Sequence, residues 1–263
     1  MKTILIVGGH GKVALEITKM LVADKAAAAS ASPYTVYSLI RNPDQSGELQ
    51  KLGTQPIVQD VDKATVPELL GTLSRVKPDV VVWAAGAGYG SPPDVIDAVD
   101  HRAAVKIFDA LGISSQAGDA GKRLVSISAL DVRDREGRPV PEWYSEDDRK
   151  RSDGLWKGIG DFMRAKFEAD KELRTGNDKR GLQYTMVRPG GLSNDPGDGF
   201  VSAGKVHLGR MVKRQDVARV VLEVIENDDT IGLAFDVVGG EDIIAEAVKE
   251  VGKEKIDTFE GYY

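Results

Sequence analysis

The sequence predicts an α/β protein with a doubly wound parallel sheet, and three observations support this fold class. Short β-branched runs alternate with stretches whose apolar residues recur at helical spacing. Two of the runs, at residues 4–7 and 80–83, are apolar throughout, which is typical of strands buried on both faces. A glycine-rich turn joins the first run to the first helical stretch. Alternation of this kind implies a parallel sheet with helices on both sides.

The same patterns predict the individual elements in order. Strands are predicted at residues 3–8, 35–40, 56–59, 80–83, 123–128, 182–187 and 233–238, and helices at 12–22, 44–51, 66–73, 95–112, 158–175, 214–227 and 242–251. The stretch 26–33, rich in alanine and serine, is predicted to be a helix end followed by a loop. No linker divides the chain, so we interpret residues 1–263 as one domain in which residues 191–263 form a smaller, looser part.

Composition excludes several classes of function. The formal net charge of -6 leaves no basic footprint for nucleic acid or for an acidic membrane surface. The absence of cysteine excludes disulfides and thiolate chemistry, and the scattered histidines (His10, His101 and His207) give no reason to expect a metal site. The first apolar run is too short for a signal peptide, and no run is long enough to span a membrane. We therefore expect a cytoplasmic protein that acts on a small molecule.

The glycine-rich turn predicts dinucleotide binding. It reads Gly8-Gly9-His10-Gly11-Lys12-Val13-Ala14 and lies between the first strand and the first helix, which is the context that this motif requires. Residues without a Cβ let the backbone turn tightly and approach a pyrophosphate, whose charge then lies at the helix N-terminus. Lys12 is either a phosphate ligand or an exposed lysine of the first helical turn. The motif indicates a Rossmann-type sheet, whose smaller part at residues 191–263 lies on the substrate side.

The end of the second strand favours NADP(H) over NAD(H). A site selective for NAD carries an acidic side chain there to hold the ribose hydroxyls. The corresponding residues here are Arg41-Asn42-Pro43, and the strand itself contains no Asp or Glu. The guanidinium of Arg41 suits a 2′-phosphate, although an arginine at a strand end is also an ordinary surface residue.

Seven motifs in family order resemble the atypical short-chain dehydrogenase/reductase superfamily, in particular its NmrA-like and flavin/biliverdin-reductase-like members. They are the glycine motif, Arg41-Asn42-Pro43, Asp60-Val61, Ala84-Ala85-Gly86, Ser126-Ile127-Ser128, Ala165-Lys166 and Arg188-Pro189-Gly190-Gly191-Leu192. The resemblance implies that Asp60 and Val61 contact the adenine and that residues 84–86 line the central ribose region. It also implies that residues 189–192 lie beside the nicotinamide.

One position departs from the family pattern. Catalytic members carry Tyr-x-x-x-Lys on this helix, where the ammonium lowers the phenol pKa, together with a serine at the end of the fifth strand. Lys166 matches the lysine and Ser128 the serine, but the tyrosine position is Phe162, which has no proton to give. Ser128 either polarises a carbonyl or is a turn hydroxyl, and Lys166 either binds the nicotinamide ribose or is solvated. Tyr144, Ser145 and Asp161 are the nearby alternative acids.

The resemblance leaves two main functions open. The first is an NADP(H)-dependent oxidoreductase that reduces a small conjugated or carbonyl acceptor, with solvent supplying the proton. The second is a non-catalytic NADP(H)-sensing regulator of the NmrA-like type, which Phe162 favours; a sugar epimerase is a weaker third because it depends most on the missing tyrosine. The charged segment 131–156 is either a substrate lid or a solvated loop with aromatic anchors. Monomer and homodimer both remain open.

Overall fold

Most strands of the computed structural model lie in one sheet. The structure describes residues 1–27, 33–88 and 90–263, so residues 28–32 of the predicted helix end and loop at 26–33 lie outside the described residues. The strands in the described ranges are β1 (Lys2–Val7), β2 (Tyr34–Ile40), β3 (Gln55–Val58), β4 (Val80–Trp83), β5 (Arg123–Ile127), β6 (Gln183–Pro189), β7 (Leu192–Ser193), β8 (Phe200–Gly204), β9 (Val212–Lys213), β10 (Ala234–Gly239) and β11 (Asp242–Ile243).

The helices lie between these strands along the chain. They are α1 (Lys12–Ala27), α2 (Ser46–Lys51), α3 (Val66–Val76), α4 (Pro93–Ile96), α5 (Ala104–Gln116), α6 (Glu146–Thr175), α7 (Asn177–Arg180), α8 (Arg214–Glu226) and α9 (Ile244–Lys253). A π-helical stretch, Asp97–Ala103, connects α4 to α5, and short 3₁₀ turns lie at Pro43–Gln45 and Asp228–Thr230. Within the described ranges, no helix combines the length and the apolar character needed to cross a membrane.

The strand order identifies a doubly wound sheet. It is β11-β8-β10-β6-β5-β4-β1-β2-β3, and a short second sheet pairs β7 with β9. The strands from β3 to β10 in this order run parallel, whereas β8 is antiparallel to both of its neighbours. The order reverses between β1 and β4, and ligands of doubly wound folds bind at the carboxyl edge of such a switch point. The predicted fold class is confirmed.

Helices cover both faces of the sheet, which explains the uninterrupted apolar strands. In β1, Leu5 and Val7 belong to the apolar core shared with α3, α5 and α6. Ile4 and Ile6 point the other way, into the core shared with α1, α8 and α9. Because successive side chains of a strand alternate between the two faces, both cores require apolar residues at every position of β1.

Helix α6 begins twelve residues before the position predicted from sequence, at Glu146 instead of residue 158. Ser145 caps it: its hydroxyl accepts a hydrogen bond from the Asp148 N–H, and the Asp148 side chain accepts one from the Ser145 N–H. The helix kinks at Ile159, where φ is -136° and ψ is 34°. The first part carries mostly charged residues, so it lacks the apolar periodicity on which the prediction relied. Residues 146–156 are therefore helix rather than loop, whereas the role of segment 131–156 as a substrate lid stays a prediction.

Asp148→Asn should destabilise the protein at neutral pH and have little effect in strong acid. Burial alone would raise the pKa of Asp148, but hydrogen bonds from Ser145, His207 and Leu208 outweigh it and lower the pKa to about 2. The carboxylate thus stabilises the folded chain above its unfolded pKa of about 3.9, and this stabilisation is lost as the pH falls through about 2. Urea unfolding of both proteins over that range measures the difference, and a gap that does not shrink with acid would contradict the prediction.

Candidate functional site

The turn after β1 requires glycine because three strand ends meet there. Gly8 has a φ of +82°, and a Cβ on it would lie 2.6 Å from the backbone nitrogen of Ala85, just after β4. A Cβ on Gly9 would lie 2.5 Å from the Cβ of Ser38 in β2. The N–H groups of Gly8 and Gly9 both donate to the carbonyl of Leu39 at 3.0 Å. No side chain fits at either position. At the carboxyl edge of the sheet, the surface of the turn is therefore formed by backbone atoms.

The start of α1 presents free backbone donors beside this turn. The N–H of Gly11 donates to the Gly8 carbonyl, and the N–H of Leu15 donates to the Gly11 carbonyl, both at 2.8 Å. The N–H groups of residues 12–14 therefore precede the first helical hydrogen bond and point out of the helix end. Together with the space that the glycines leave, they fit the diphosphate of a dinucleotide.

Residues predicted for the adenosine end follow neighbouring strands. Arg41 and Asn42 come after β2, Asp60 and Val61 come after β3, and the Gln59 N–H donates to the Ile40 carbonyl at 2.8 Å. Arg41 is exposed, and its side chain has no hydrogen bond or ion pair with any described residue. The Asn42 side chain instead caps the following 3₁₀ turn. Among the described residues, Arg41 is therefore a cation without an acidic partner at this end.

An acid that contacts the glycine turn was not predicted. Glu48 of α2 lies 2.8 Å from Nε2 of His10 in the glycine turn. An ion pair or hydrogen bond to a carboxylate fixes the orientation of the imidazole. His10 is thus tied to α2, which covers the same end of the turn as Arg41.

The matched lysine is buried in an ion pair. Lys166 Nζ lies 3.1 Å from Oδ1 of Asp100 and 3.4 Å from the Ile127 carbonyl. The other Asp100 oxygen accepts the N–H of Ala87 at 2.8 Å, in the loop that contains Ala84, Ala85 and Gly86. Lys166 is 6% exposed and Asp100 is 1% exposed, so solvent has almost no access to the ion pair. The pair connects α6 to the loop after β4, and no sequence motif indicated Asp100.

Ser128 and Phe162 are the other two residues of the family's catalytic pattern, and neither can give a proton to a substrate in this arrangement. The Ser128 hydroxyl donates to Asp170 of α6 at 2.5 Å, and both residues are buried. Burial raises the pKa of Asp170 to about 6, against the opposing charge of Arg188 and the hydrogen bond from Ser128. The Phe162 ring lies 5.8 Å from the Lys166 ammonium. In this arrangement the Ser128 proton is directed to Asp170, and Phe162 supplies none.

The alternative acids are either hydrogen-bonded elsewhere or exposed. The Tyr144 hydroxyl is buried and donates to Asp131 at 3.1 Å, and burial raises the pKa of this phenol. Ser145 caps α6, as described above, and Asp161 is exposed. None of them is brought to Phe162 by the hydrogen bonds that the structure describes.

Arg188 positions the loops that the resemblance predicts to lie beside the nicotinamide. It is fully buried in β6 and donates to the Val132 carbonyl at 2.7 Å and the Ala129 carbonyl at 3.3 Å. Its Nε also lies 3.3 Å from Asp236 of β10. Two backbone hydrogen bonds hold the predicted loop 189–192 in place. The Leu130 N–H donates to the Pro189 carbonyl and the Gly190 N–H donates to the Val237 carbonyl of β10, both at 2.9 Å.

A pocket of about 400 Å³ adjoins the glycine turn on the α8 side, and its wall contains a residue that was not predicted. Arg214, the first residue of α8, faces Lys12 across it. Arg214 was missed because a basic residue at a helix start follows no sequence pattern. In the described ranges there is no group of acidic or histidine side chains that could hold a metal ion.

Comparison with known proteins identifies the family. A family model described as NAD(P)H-binding matches residues 8–228. UPF0659 protein C216.03 from Schizosaccharomyces pombe is 34% identical over 238 residues, which cover 90% of each chain. The "Uncharacterized sugar epimerase YhfK" from Bacillus subtilis is 26% identical over 248 residues, which cover 94% of this chain and 99% of that protein.

Solved structures share the fold. The "Putative NAD-dependent epimerase/dehydratase" from Bacillus halodurans has a TM-score of 0.73 and 26% identity, covering 95% of this chain and 100% of its own. A short-chain dehydrogenase/reductase from Veillonella parvula, solved in complex with NADP, has a TM-score of 0.60 and 16% identity, covering 90% of this chain and 94% of its own. The resemblance predicted from sequence is confirmed at this level. Since the family match runs from the glycine turn past the end of α8, the protein belongs to the NAD(P)H-binding family and has its Rossmann-type, oxidoreductase-like fold.

Proposed function

We propose that the protein binds NADP(H) and transfers hydride to a small conjugated or carbonyl acceptor. The observation that carries this proposal is the unpaired guanidinium of Arg41 beside a turn that only glycine can form. A 2′-phosphate is doubly charged at neutral pH and suits the guanidinium fork. Glu48 is paired with His10, and no described acid forms an ion pair with Arg41.

The chain's residues bind and orient but donate no proton. When bound, the cofactor supplies the hydride, and water supplies the proton that balances the reduction. Phe162 has no acidic hydrogen, and the Ser128 hydroxyl donates to Asp170. An acceptor whose conjugated system spreads the added charge needs no side-chain acid, which favours such acceptors over simple ketones.

A second candidate is a regulator that binds NADP(H) without turnover. The observation that favours it is that both matched catalytic side chains are used internally, Lys166 by Asp100 and Ser128 by Asp170. In a catalytic short-chain dehydrogenase these groups serve the substrate or the ribose. A protein that kept the cofactor site and used the catalytic groups for packing would respond to cofactor occupancy alone.

Arg41→Glu should weaken NADPH binding by at least about tenfold, or about 1.4 kcal/mol. The new carboxylate repels the 2′-phosphate, whereas NADH affinity should stay the same or rise, because a carboxylate can bind the ribose hydroxyls. Energy transfer from the tryptophans to the reduced nicotinamide measures both affinities. Arg219→Glu, on the exposed side of α8, is the matched control and should bind NADPH like the wild type. Unchanged NADPH binding by Arg41→Glu would refute the cofactor assignment.

Turnover separates the two candidates. The wild-type protein is incubated with NADPH and quinone, flavin or tetrapyrrole acceptors, and cofactor oxidation is followed by absorbance. Oxidation above the rate without protein supports the reductase. Tight NADPH binding without oxidation by any acceptor class, together with a protein partner whose binding depends on the cofactor, supports the regulator.

A further inference from the structure

The pocket beside the glycine turn lies between the first turns of two helices. Its volume is about 400 Å³, and its wall includes Lys12 of α1, Arg214 of α8 and residues 194–196. These two helices pack against the same face of the sheet, in the core that also contains Ile4 and Ile6. The pocket therefore lies next to the first turn of α1, where the N–H groups of residues 12–14 have no helical partner.

Both basic residues in this wall lack an acidic partner. In the described chain, neither Lys12 nor Arg214 forms an ion pair with a carboxylate. Two acids also line the wall: Glu16 lies 2.6 Å from Lys19, and Asp195 forms no ion pair with a described residue. The pocket thus contains two basic side chains to which no carboxylate is bound.

Neutral oxygens hold Arg214 in place. Its Nη1 donates to the Leu192 carbonyl at 3.2 Å and to Oδ1 of Asn194 at 2.8 Å. A guanidinium has five N–H donors, so those on Nε and Nη2 remain for a ligand. A cation as the first residue of a helix opposes the helix dipole, which favours an anion at that end. A bound anion would offset this cost for both α1 and α8.

We propose that Arg214 binds the cofactor diphosphate from the side opposite the glycine turn, with Lys12 as the second cation. This inference rests on the proposed function, because it assumes that a dinucleotide lies on the turn. It adds that α8 takes part in cofactor binding. Arg214 would contact the diphosphate while it donates to the carbonyl of Leu192, the last residue of the loop expected beside the nicotinamide. Diphosphate binding and the position of that loop are then coupled.

The test compares two ligands in Arg214→Gln. NADPH contains both the diphosphate and the 2′-phosphate, whereas adenosine 2′-monophosphate retains only the latter. We expect Arg214→Gln to weaken NADPH binding by at least about tenfold, with adenosine 2′-monophosphate binding unchanged. Arg219→Gln, on the same helix, is the control and should bind both ligands like the wild type.

The outcomes separate this inference from the proposed function. If the wild type binds NADPH and Arg214→Gln binds it equally well, Arg214 is not a diphosphate ligand and an anionic substrate group becomes the occupant of the pocket. If the wild type does not bind NADPH, both proposals fail. Should Arg214→Gln not fold, Arg214→Lys keeps the charge but loses the fork, and at least about threefold weaker NADPH binding is expected; wild-type affinity would overturn the inference.

Discussion

Lys166→Met should lower the free energy of unfolding by about 3–5 kcal/mol. The substitution leaves Asp100 in a dry site with only the Ala87 N–H as a hydrogen-bond donor. A buried carboxylate that loses its positive partner either stays charged at high cost or takes up a proton. Chemical denaturation at neutral pH measures the loss.

A double-mutant cycle shows whether the loss comes from the ion pair. Asp100→Asn removes the charge and keeps an acceptor for Ala87, so adding it to Lys166→Met should recover part of the stability. Lys157→Met, at an exposed position of the same helix, should change stability by less than about 0.5 kcal/mol. If Lys166→Met were as mild as this control, the buried pair of Lys166 and Asp100 would add little net stability, and the prediction would be wrong.

The result would also clarify what Lys166 does without a tyrosine. Its ammonium lies between α6, the end of β5 and, through Asp100, the loop expected to line the cofactor. Loss of Lys166 should therefore loosen that loop even though no phenol depends on it. In this role Lys166 is a positioning residue.

Sequence patterns predicted the elements whose burial is uniform. Strands such as β1 and β4 are apolar because helices cover both faces of the sheet, and this pattern needs no tertiary information. The pairs β7–β9 and β8–β11 were missed because they are short and partly exposed. The first part of α6 was missed because its stability comes from the Ser145 cap rather than from an apolar stripe.

The sequence predicted those residues of the candidate site that come directly after a strand. Parallel strands bring their carboxyl ends to one edge, so the glycine turn, Arg41 and residues 84–86 are neighbours by topology alone. Asp100, Asp170 and Arg214 belong to no motif, and their partners lie far away in sequence: Asp100 pairs with Lys166, and Asp170 with Ser128. Such contacts depend on how helices pack onto the sheet, which a single sequence does not specify.

Gly8→Ala should abolish measurable NADPH binding, a loss of at least about 100-fold or about 2.7 kcal/mol. A left-handed φ costs an alanine about 1–2 kcal/mol. The larger effect is steric, because the new methyl would lie 2.6 Å from the Ala85 backbone and force the ends of β1 and β4 apart. That movement displaces both the turn and the loop at residues 84–86, so stability should also fall, as thermal unfolding would show.

Gly232→Ala separates the conformational cost from the steric one. Gly232 has a φ of +85°, close to that of Gly8, but nothing lies within 4 Å of where its Cβ would be. This control should lose about 1–2 kcal/mol of stability and keep wild-type NADPH affinity. A Gly8→Ala protein that folds and binds NADPH like the Gly232→Ala control would show that the cofactor does not use the turn. The glycines would then serve only the approach of β1 to β4, and the functional site would have to lie elsewhere in the fold.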